Sequence, residues 1–268
     1  MQIIDRVIRL KAFDCLREEF QKNNLSRKEI INRIHNEFDI PVGTIYGWYN
    51  NTFLPYGRKG RVLYGPELLY VLGALLGDGC IYNWKITNNY AILVGDYNFA
   101  TKYAKMLAVC TTTKTKPYID RSKNIWFVRS NNFELYSLFK KLREDLKSLM
   151  QLIDINNGKY PLSFIEGFFD AEGCVKVIKE KTRRTPKICL DITNTNLGIL
   201  ELIRELLQEK LGIVARYSLQ KSDPTKNKKL VYHLRIYKKD YVKIFFENLD
   251  TIKLSKEKDY YLKVWLKK

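Results

Sequence analysis

The sequence contains few of the residues that build metal cages, disulfide frameworks or nucleophilic triads. Its 268 residues include five cysteines and two histidines, His35 and His233. The cysteines form no C-x-x-C pair and their number is odd, which argues against a zinc site or a disulfide scaffold and favours a reducing, intracellular setting. With so few histidines, neither a Ser-His-Asp nor a Cys-His arrangement is indicated.

Long hydrophobic runs are also missing. The longest run, Leu68 to Leu76, falls well short of the roughly 18 apolar residues that a spanning helix needs. Residues 1–14 mix charges with apolar residues and lack the pattern of a signal peptide. We therefore expect no part of the chain to lie in a membrane.

Acidic residues are outnumbered by basic ones. The chain has 47 Lys and Arg against 29 Asp and Glu, a formal net charge of +18. This excess is larger than solubility requires and indicates a polyanionic partner, with nucleic acid as the leading candidate and an anionic membrane surface as the competitor. The hydrophobic share of 46% can fill a core in one large domain or two smaller ones.

The chain divides into three kinds of segment. Residues 1–50 predict three helices, and residues 51–65 carry three glycines, one proline and a basic cluster without a sustained period, which is typical of a linker. Residues 66–158 and 159–268 then repeat one order of elements: an apolar helix, two strands, a helix, two strands and a helix. The predicted fold class is α+β, with two pseudo-symmetric αββαββα halves after a small helical module.

Each half opens on an apolar helix that ends in an acid and a glycine. The two segments read VLGALLGDGC and IEGFFDAEGC, and Asp78 in the first matches Glu172 in the second. Each helix carries two small residues spaced four apart, which would let two helix backbones approach closely: Gly73 and Gly77, and Gly167 and Ala171. An ordinary buried helix with a glycine cap is the alternative for either segment alone. If the helices cross, the two acids lie side by side, and a hard divalent cation with oxygen ligands would relieve their repulsion.

The two segments resemble the signature helices of the LAGLIDADG homing endonucleases, in the single-chain form that carries both motifs. The resemblance extends over residues 66–268, including the repeated order of helices and strands. It implies a double-strand cut in a long, specific DNA site, made with Mg²⁺ or another divalent cation. The implied metal site comprises Asp78, Glu172, Gly77 and Ala171, with the two acids as the ligands.

The same resemblance implies further catalytic residues. In this family a polar residue near the end of the second strand of each unit, and a later lysine, often complete the pocket. By position the polar residues are Asp96 and Asn194, where relatives often have glutamine, so Asp96 is a departure from the pattern. The lysine would be Lys147 or Lys256, with a solvated surface charge as the alternative for each.

Basic side chains on the predicted strands would form a DNA-binding saddle. They alternate with apolar neighbours and would project from a twisted sheet into a major groove. These residues are Lys85, Arg129, Lys176, Arg216 and Arg235. Arg183 and Arg184, in a basic cluster at a predicted hairpin turn, would contact phosphates. A solvated charge is the alternative for any one of them, and we interpret His233 as a polar residue on an exposed strand face.

The amino-terminal module resembles a helix-turn-helix. Ser26 and Glu29 form a predicted capping box at the start of its second helix. Thr44 and Tyr46, early in the third helix, would then reach base edges. A plain three-helix cap is the alternative.

Three functions are compatible with these patterns. The first is a monomeric homing endonuclease that cuts double-stranded DNA. The second is a splicing helper, or maturase, that binds intron RNA. The third is a DNA-binding regulator of the same fold without catalysis, which would be expected to have lost the two acids.

Overall fold

Three helices precede two units that share one order of elements. The computed structural model describes residues 3–22, 24–52, 55, 62–84, 88–179, 186–220 and 230–267. The helices of the amino-terminal module are α1 (Ile3–Lys22), α2 (Arg27–Phe38) and α3 (Val42–Tyr49). Within the described parts of the chain, every helix is too short or too polar to cross a bilayer.

The module has a hydrophobic core of its own. Its buried residues come from all three helices and from the turn before α3: Ala12, Phe13, Leu16, Ile30, Ile31, Ile34, Ile40, Ile45 and Trp48. The predicted capping box is confirmed, because Ser26 Oγ accepts a hydrogen bond from Glu29 N while Ser26 N donates to the Glu29 carboxylate at 2.8 Å. The box fixes where α2 begins and so sets the turn between the first two helices.

The two halves repeat eight elements each. The first half contains α4 (Pro66–Asp78), β1 (Gly79–Trp84), β2 (Asn88–Gly95), α5 (Tyr97–Thr111), β3 (Tyr118–Asp120), β4 (Ile125–Ser130), α6 (Phe133–Leu142) and α7 (Leu146–Ile153). The second half contains α8 (Lys159–Glu172), β5 (Gly173–Ile178), β6 (Lys187–Asn194), α9 (Leu197–Leu211), β7 (Arg216–Gln220), β8 (Val231–Ile236), α10 (Lys239–Asn248) and α11 (Lys256–Leu266).

The predicted order of seven elements is confirmed in both halves, and each half adds one more helix. Helices α7 and α11 follow α6 and α10 after short connections. Asp145 caps α7 by accepting a hydrogen bond from Ser148 N, and Ser255 caps α11 by accepting one from Lys258 N. Sequence patterns did not separate these helices from the ones before them, because the connections contain no proline or glycine to mark a break.

Each half builds a four-stranded antiparallel sheet with one covered face. The strand orders are β1-β2-β4-β3 and β5-β6-β8-β7, and the pairing register is equivalent in the two. On β8, Leu234 and Ile236 are buried against the helices while Arg235 between them lies on the other face, as the alternation of apolar and polar residues predicts. The opposite face of the second sheet therefore carries polar and basic side chains, whereas that of the first sheet carries Ile92 and Val94 as well as Arg129.

Helices α4 and α8 cross at backbone contact in the centre of the main core. A Cβ atom placed on Gly167 would lie 2.1 Å from the Tyr70 carbonyl oxygen, and one placed on Gly73 would lie 2.3 Å from the Phe164 carbonyl oxygen. No side chain fits at either position, so the close approach predicted from the small residues is confirmed. The crossing holds the two halves together and brings the carboxyl ends of both helices to one place.

Candidate active site

Each acid occupies the last residue of its helix, and a strand begins at once after it. Asp78 ends α4 and Glu172 ends α8. The glycines that follow have extended backbones, and an added Cβ would lie 2.3 Å from Leu75 O at Gly79 and 2.4 Å from Phe169 O at Gly173. Glycine therefore lets the chain turn directly from helix into strand, which places both acids at the junction of the helix pair and the sheets.

The crossing brings the two acids together. A Cβ atom placed on Gly77 would lie 2.5 Å from Ala171 Cβ and 2.9 Å from Glu172 Cγ, so Glu172 folds over the end of α4. Burial raises the pKa of Asp78. Burial, and then the negative charge of Asp78, raise the pKa of Glu172 to about 7. Two carboxylates held this way repel each other, and a cation between them would relieve the repulsion.

Asn194 orients the Glu172 carboxylate. Its Nδ2 donates to Glu172 Oε1 at 2.8 Å, while its Oδ1 accepts a hydrogen bond from Asn196 N at 2.8 Å. The second bond fixes which end of the amide faces the acid. The position predicted from the sequence therefore lies in the site.

The matching prediction for Asp96 was wrong in its alignment. Gly79 pairs with Leu93 and Gly173 pairs with Ile192, so the residue equivalent to Asn194 is Gly95. Asp96 is exposed and caps α5 by accepting a hydrogen bond from Phe99 N at 2.9 Å. The Asp96 carboxylate is therefore used to cap a helix. In the described residues, no side-chain amide bonds Asp78 in the way that Asn194 bonds Glu172.

The lysine at the site is Lys253, which was missed at the level of sequence. Its Nζ donates to the Ala171 carbonyl oxygen at 3.4 Å, and its charge lowers the pKa of both acids against the effect of burial. The two lysines proposed from the sequence are both exposed, Lys147 on α7 and Lys256 as the first residue of α11. In the described part of the chain, no hydrogen bond or ion pair joins either of them to an acid of the site.

A buried carboxylate anchors the segment that carries Lys253. Asp170, fully buried in α8, accepts hydrogen bonds from Tyr70 Oη at 2.8 Å, Thr251 Oγ1 at 2.5 Å and Ile252 N at 3.1 Å. Lys102 of α5 adds an ion pair to Asp170 at 3.0 Å and a second to Glu166 at 2.7 Å. Because these donors satisfy the buried acid, the loop between α10 and α11 is tied to α8 immediately before Lys253.

The site offers carboxylate oxygens, which hard divalent cations prefer as ligands. In the described residues, no group of three or more His, Cys, Asp or Glu could hold an ion, so Asp78 and Glu172 would supply the carboxylate ligands as a pair. Mg²⁺ suits such a pair, because it is commonly held by one or two carboxylates and completes its shell with water and substrate phosphate. Of the two backbone positions predicted for the metal site, Ala171 has its carbonyl partly engaged by Lys253, and Gly77 lies at the crossing.

The outer face of the second sheet carries three of the predicted DNA-binding residues. Strand register places Arg216, Arg235 and Asp191 in one row, and Lys176 beside them on the same face. Arg216 is exposed. On the first sheet, Arg129 is exposed and its guanidinium lies 5.8 Å from the centre of the Tyr118 ring.

His233 is more enclosed than the alternation in the sequence indicates. Its side chain is 13% exposed, and its Nδ1 lies 3.0 Å from Asp191 Oδ1 and 3.2 Å from Thr193 Oγ1. His233 lies on the outer face of the sheet, as expected, but the carboxylate of Asp191 on the neighbouring strand helps to enclose its side chain. Sequence alternation assigns a face but does not show which side chains meet on it.

Three predicted DNA contacts, Lys85, Arg183 and Arg184, lie outside the described residues. In the module, Thr44 and Tyr46 lie in α3, as expected. The Arg27 guanidinium lies 4.8 Å from the centre of the Tyr46 ring and donates to Asn50 Oδ1 at 2.9 Å. One face of the Tyr46 ring therefore packs against Arg27 within the module.

Comparison with known proteins identifies the architecture. The family model of the LAGLIDADG-like domain matches residues 159–250. The crystal structure of I-DmoI in complex with DNA and Ca superposes with a TM-score of 0.50 at 21% identity, over 73% of this chain and 96% of that chain. Because 73% of this chain is more than either half alone contains, both halves are included in the superposition. The chain has the LAGLIDADG fold.

Two proteins of Methanocaldococcus jannaschii resemble this chain in sequence. The uncharacterized protein MJ0398 is 28% identical over 246 residues, which cover 88% of this chain and 83% of that protein. The uncharacterized protein MJ0314 is 33% identical over 152 residues, which cover 55% of each. The resemblance to LAGLIDADG homing endonucleases, inferred from the two motifs, is confirmed by the family model and by the fold.

Proposed function

We propose that this chain is a homing endonuclease that makes a double-strand break in a long DNA target with the help of a divalent cation. The observation that carries the proposal is the pair of adjacent, partly buried carboxylates at the end of the helix crossing, Asp78 and Glu172. A regulator without catalysis would have no need to hold two acids against their mutual repulsion.

In this proposal Asp78 and Glu172 hold Mg²⁺ or another divalent cation. Such an ion supplies an activated water and stabilises negative charge on the phosphoryl and leaving oxygens. Asn194 keeps the Glu172 carboxylate in one orientation. Lys253 brings an ammonium group to the same place, where it attracts the phosphate and offsets the charge that develops during cleavage.

The two sheets would bind the duplex on both sides of the cut. The exposed Arg129 and Arg216, together with Lys176 and Arg235, give each sheet basic groups on its outer face. Because one chain supplies both acids and both sheets, one copy is enough for the whole site, and we propose a monomer. The neighbour I-DmoI is described as a complex with DNA and Ca, which agrees with a duplex and a divalent cation as partners.

The proposal assigns the segments as the sequence suggests. Residues 66–158 and 159–268 form the two halves of the nuclease, and residues 51–65 connect them to the module of residues 1–50. Separate hydrophobic clusters in the module and in the main part support two units, and Val62 and Tyr64 at the end of the linker are buried in the main cluster.

The test is a cleavage selection. The protein is incubated with MgCl₂ and a library of long duplexes with randomised centres, and the newly formed ends are sequenced. The proposal predicts ends that share one extended sequence and appear with Mg²⁺ but not with EDTA. Ends of random sequence, or ends that form equally in EDTA, would refute it.

A further inference from the structure

The second sheet holds a carboxylate that the proposed cleavage site does not use. Asp191 is fully buried, although strand register puts it on the outer face of the sheet, in one row with Arg235 and Arg216. Burial of a carboxylate is costly unless it is paired and hydrogen-bonded. An acid on a face that would bind DNA also repels phosphates, so its presence there calls for a specific role.

Three cationic or titratable side chains cover Asp191. Lys176 Nζ forms an ion pair with Oδ2, Arg235 Nε lies 3.3 Å from Oδ1, and His233 Nδ1 lies 3.0 Å from Oδ1. Burial raises the pKa of Asp191, but the hydrogen bonds from Lys176 and His233 outweigh that effect and hold the pKa below its ordinary value. The acid is therefore a charged centre that ties residues from β5 and β8 to β6.

Lys176 and Arg235 are held by Asp191 without being hidden by it. Their side chains remain 44% and 28% exposed. Arg235 gives its Nε to Asp191 and its Nη1 to Tyr237 Oη at 3.4 Å, so its Nη2 makes no hydrogen bond within the described residues. The guanidinium is therefore fixed at two of its nitrogens, and its Nη2 remains able to donate to a base-edge acceptor such as guanine O6 or N7.

The first sheet has no acid at the equivalent place. Arg129 is the counterpart of Arg235, and the residue opposite it on the neighbouring strand is Ile92 where the second sheet has Asp191. Arg129 lies over the Tyr118 ring instead. The two halves, alike in register, thus differ at this position, where an acid faces the arginine in the second sheet and an isoleucine faces it in the first.

We infer that Asp191 is a positioning residue that fixes Lys176 and Arg235 for contacts with base edges, so that sequence discrimination is concentrated in the half-site under the second sheet. The inference rests on the proposed function in one respect, that the sheets bind double-stranded DNA. Long side chains that are already ordered lose less entropy when they bind, and an ordered guanidinium distinguishes bases by geometry as well as by charge. The acid therefore favours discrimination and disfavours general affinity for phosphate.

The experiment is a binding selection in EDTA, where no DNA is cut. The wild-type protein, Asp191→Asn and the matched control Glu247→Gln each select from a randomised duplex library, and their affinities for a duplex of random sequence are measured in parallel. Glu247 lies on α10, pairs with Lys243 at 3.7 Å and is 57% exposed. Its substitution changes the net charge by the same amount without touching the sheet.

We expect Asp191→Asn to lose base preference of about 5- to 100-fold at one or two positions, all within one half-site. Its affinity for random duplex should stay the same or rise, because the face loses a negative charge. A merely structural defect would instead lower both. The control should keep the wild-type preferences.

Wild-type preferences in Asp191→Asn, or a loss spread evenly over both half-sites, would overturn the inference. If circular dichroism shows that Asp191→Asn does not fold, Arg235→Lys decides the question. This variant keeps the charge but lacks the fork of donors, so we expect it to lose preference at one or two positions within one half-site, and unchanged preferences would overturn the inference. A wild-type protein that binds no duplex would overturn the proposed function as well, which separates the two failures.

Discussion

The helix crossing makes a quantitative prediction for Gly167→Ala. The added Cβ would lie 2.1 Å from the Tyr70 carbonyl oxygen, about 1.3 Å short of the 3.4 Å at which ordinary contact begins. The obstructing atom belongs to a helix backbone, so it cannot move aside as the end of a side chain would. The two helices must therefore separate, or one must rotate.

The cost follows from two opposing effects. Overpacking of a filled core typically destabilises by 1–3 kcal/mol, and a clash with backbone lies at the upper end, about 3 kcal/mol. Alanine is favoured over glycine in a helix by about 1 kcal/mol, which offsets part of this. The net loss in the free energy of unfolding is about 2 kcal/mol, or a fall in Tm of roughly 4–8 °C for a chain of this size.

The assay is thermal unfolding followed by circular dichroism, with Gly198→Ala as the control. Gly198 lies in α9 of the same half, and its added Cβ would meet Leu146 Cδ1 at 3.1 Å, a methyl group that can rotate away. The control should stay within about 1 kcal/mol of the wild type. An unchanged or higher Tm for Gly167→Ala would refute the close crossing.

Three further predictions concern Lys253, the amino-terminal module and the half-buried Asp14. Lys253→Met should slow cleavage by about 100-fold or more in a single-turnover assay. The control Lys256→Met, three residues away and exposed, should cut like the wild type. Slow cleavage by Lys256→Met and normal cleavage by Lys253→Met would restore Lys256 as the lysine of the site. A chain of residues 62–268 should still cut DNA, but the stretch of DNA that it protects should be shorter at one end. The slope of log affinity against log salt should fall by about 0.9 for each phosphate that the module had neutralised. An unchanged protected stretch and slope would show that the module is a structural cap. Burial raises the pKa of Asp14 from 3.8 to about 6, so the charged acid destabilises the fold above that pH. Asp14→Asn should therefore have a higher Tm than the wild type at pH 7.5, and the difference in Tm should close as pH falls through 6 towards 3.8. A difference in Tm that does not change with pH would contradict this.

Repetition made the central acids predictable. Asp78 and Glu172 end two similar helices in a chain that repeats one order of elements, and the small residues in those helices predict the crossing that brings them together. The fold class could be inferred for the same reason. The acids, the helix crossing and the fold class could be predicted because each depends on a local pattern that occurs twice at matching positions in the sequence.

Other parts of the site depend on contacts between distant segments. Lys253 reaches the acids because Asp170, 82 residues before Ile252, anchors its loop, and no local pattern marks that bond. Asp191 lies in a strand in which apolar and polar residues are mixed, so the sequence does not mark it as special. Its buried charge is balanced by Lys176 and Arg235 from two neighbouring strands, and only the structure shows that they meet. Asp96 was misassigned because counting to the end of a strand does not give the pairing register.

The most direct test of the central claim is the cutting of a selected target by Asp78→Asn and Glu172→Gln beside the wild type. Each substitution keeps the size of the side chain and removes one charge from the proposed metal site. We predict that both variants bind the target within a few-fold of the wild-type affinity and that each cuts it at least about 100-fold more slowly in MgCl₂. Double-strand cutting at the wild-type rate by either variant would contradict the assignment of these two acids as the catalytic pair.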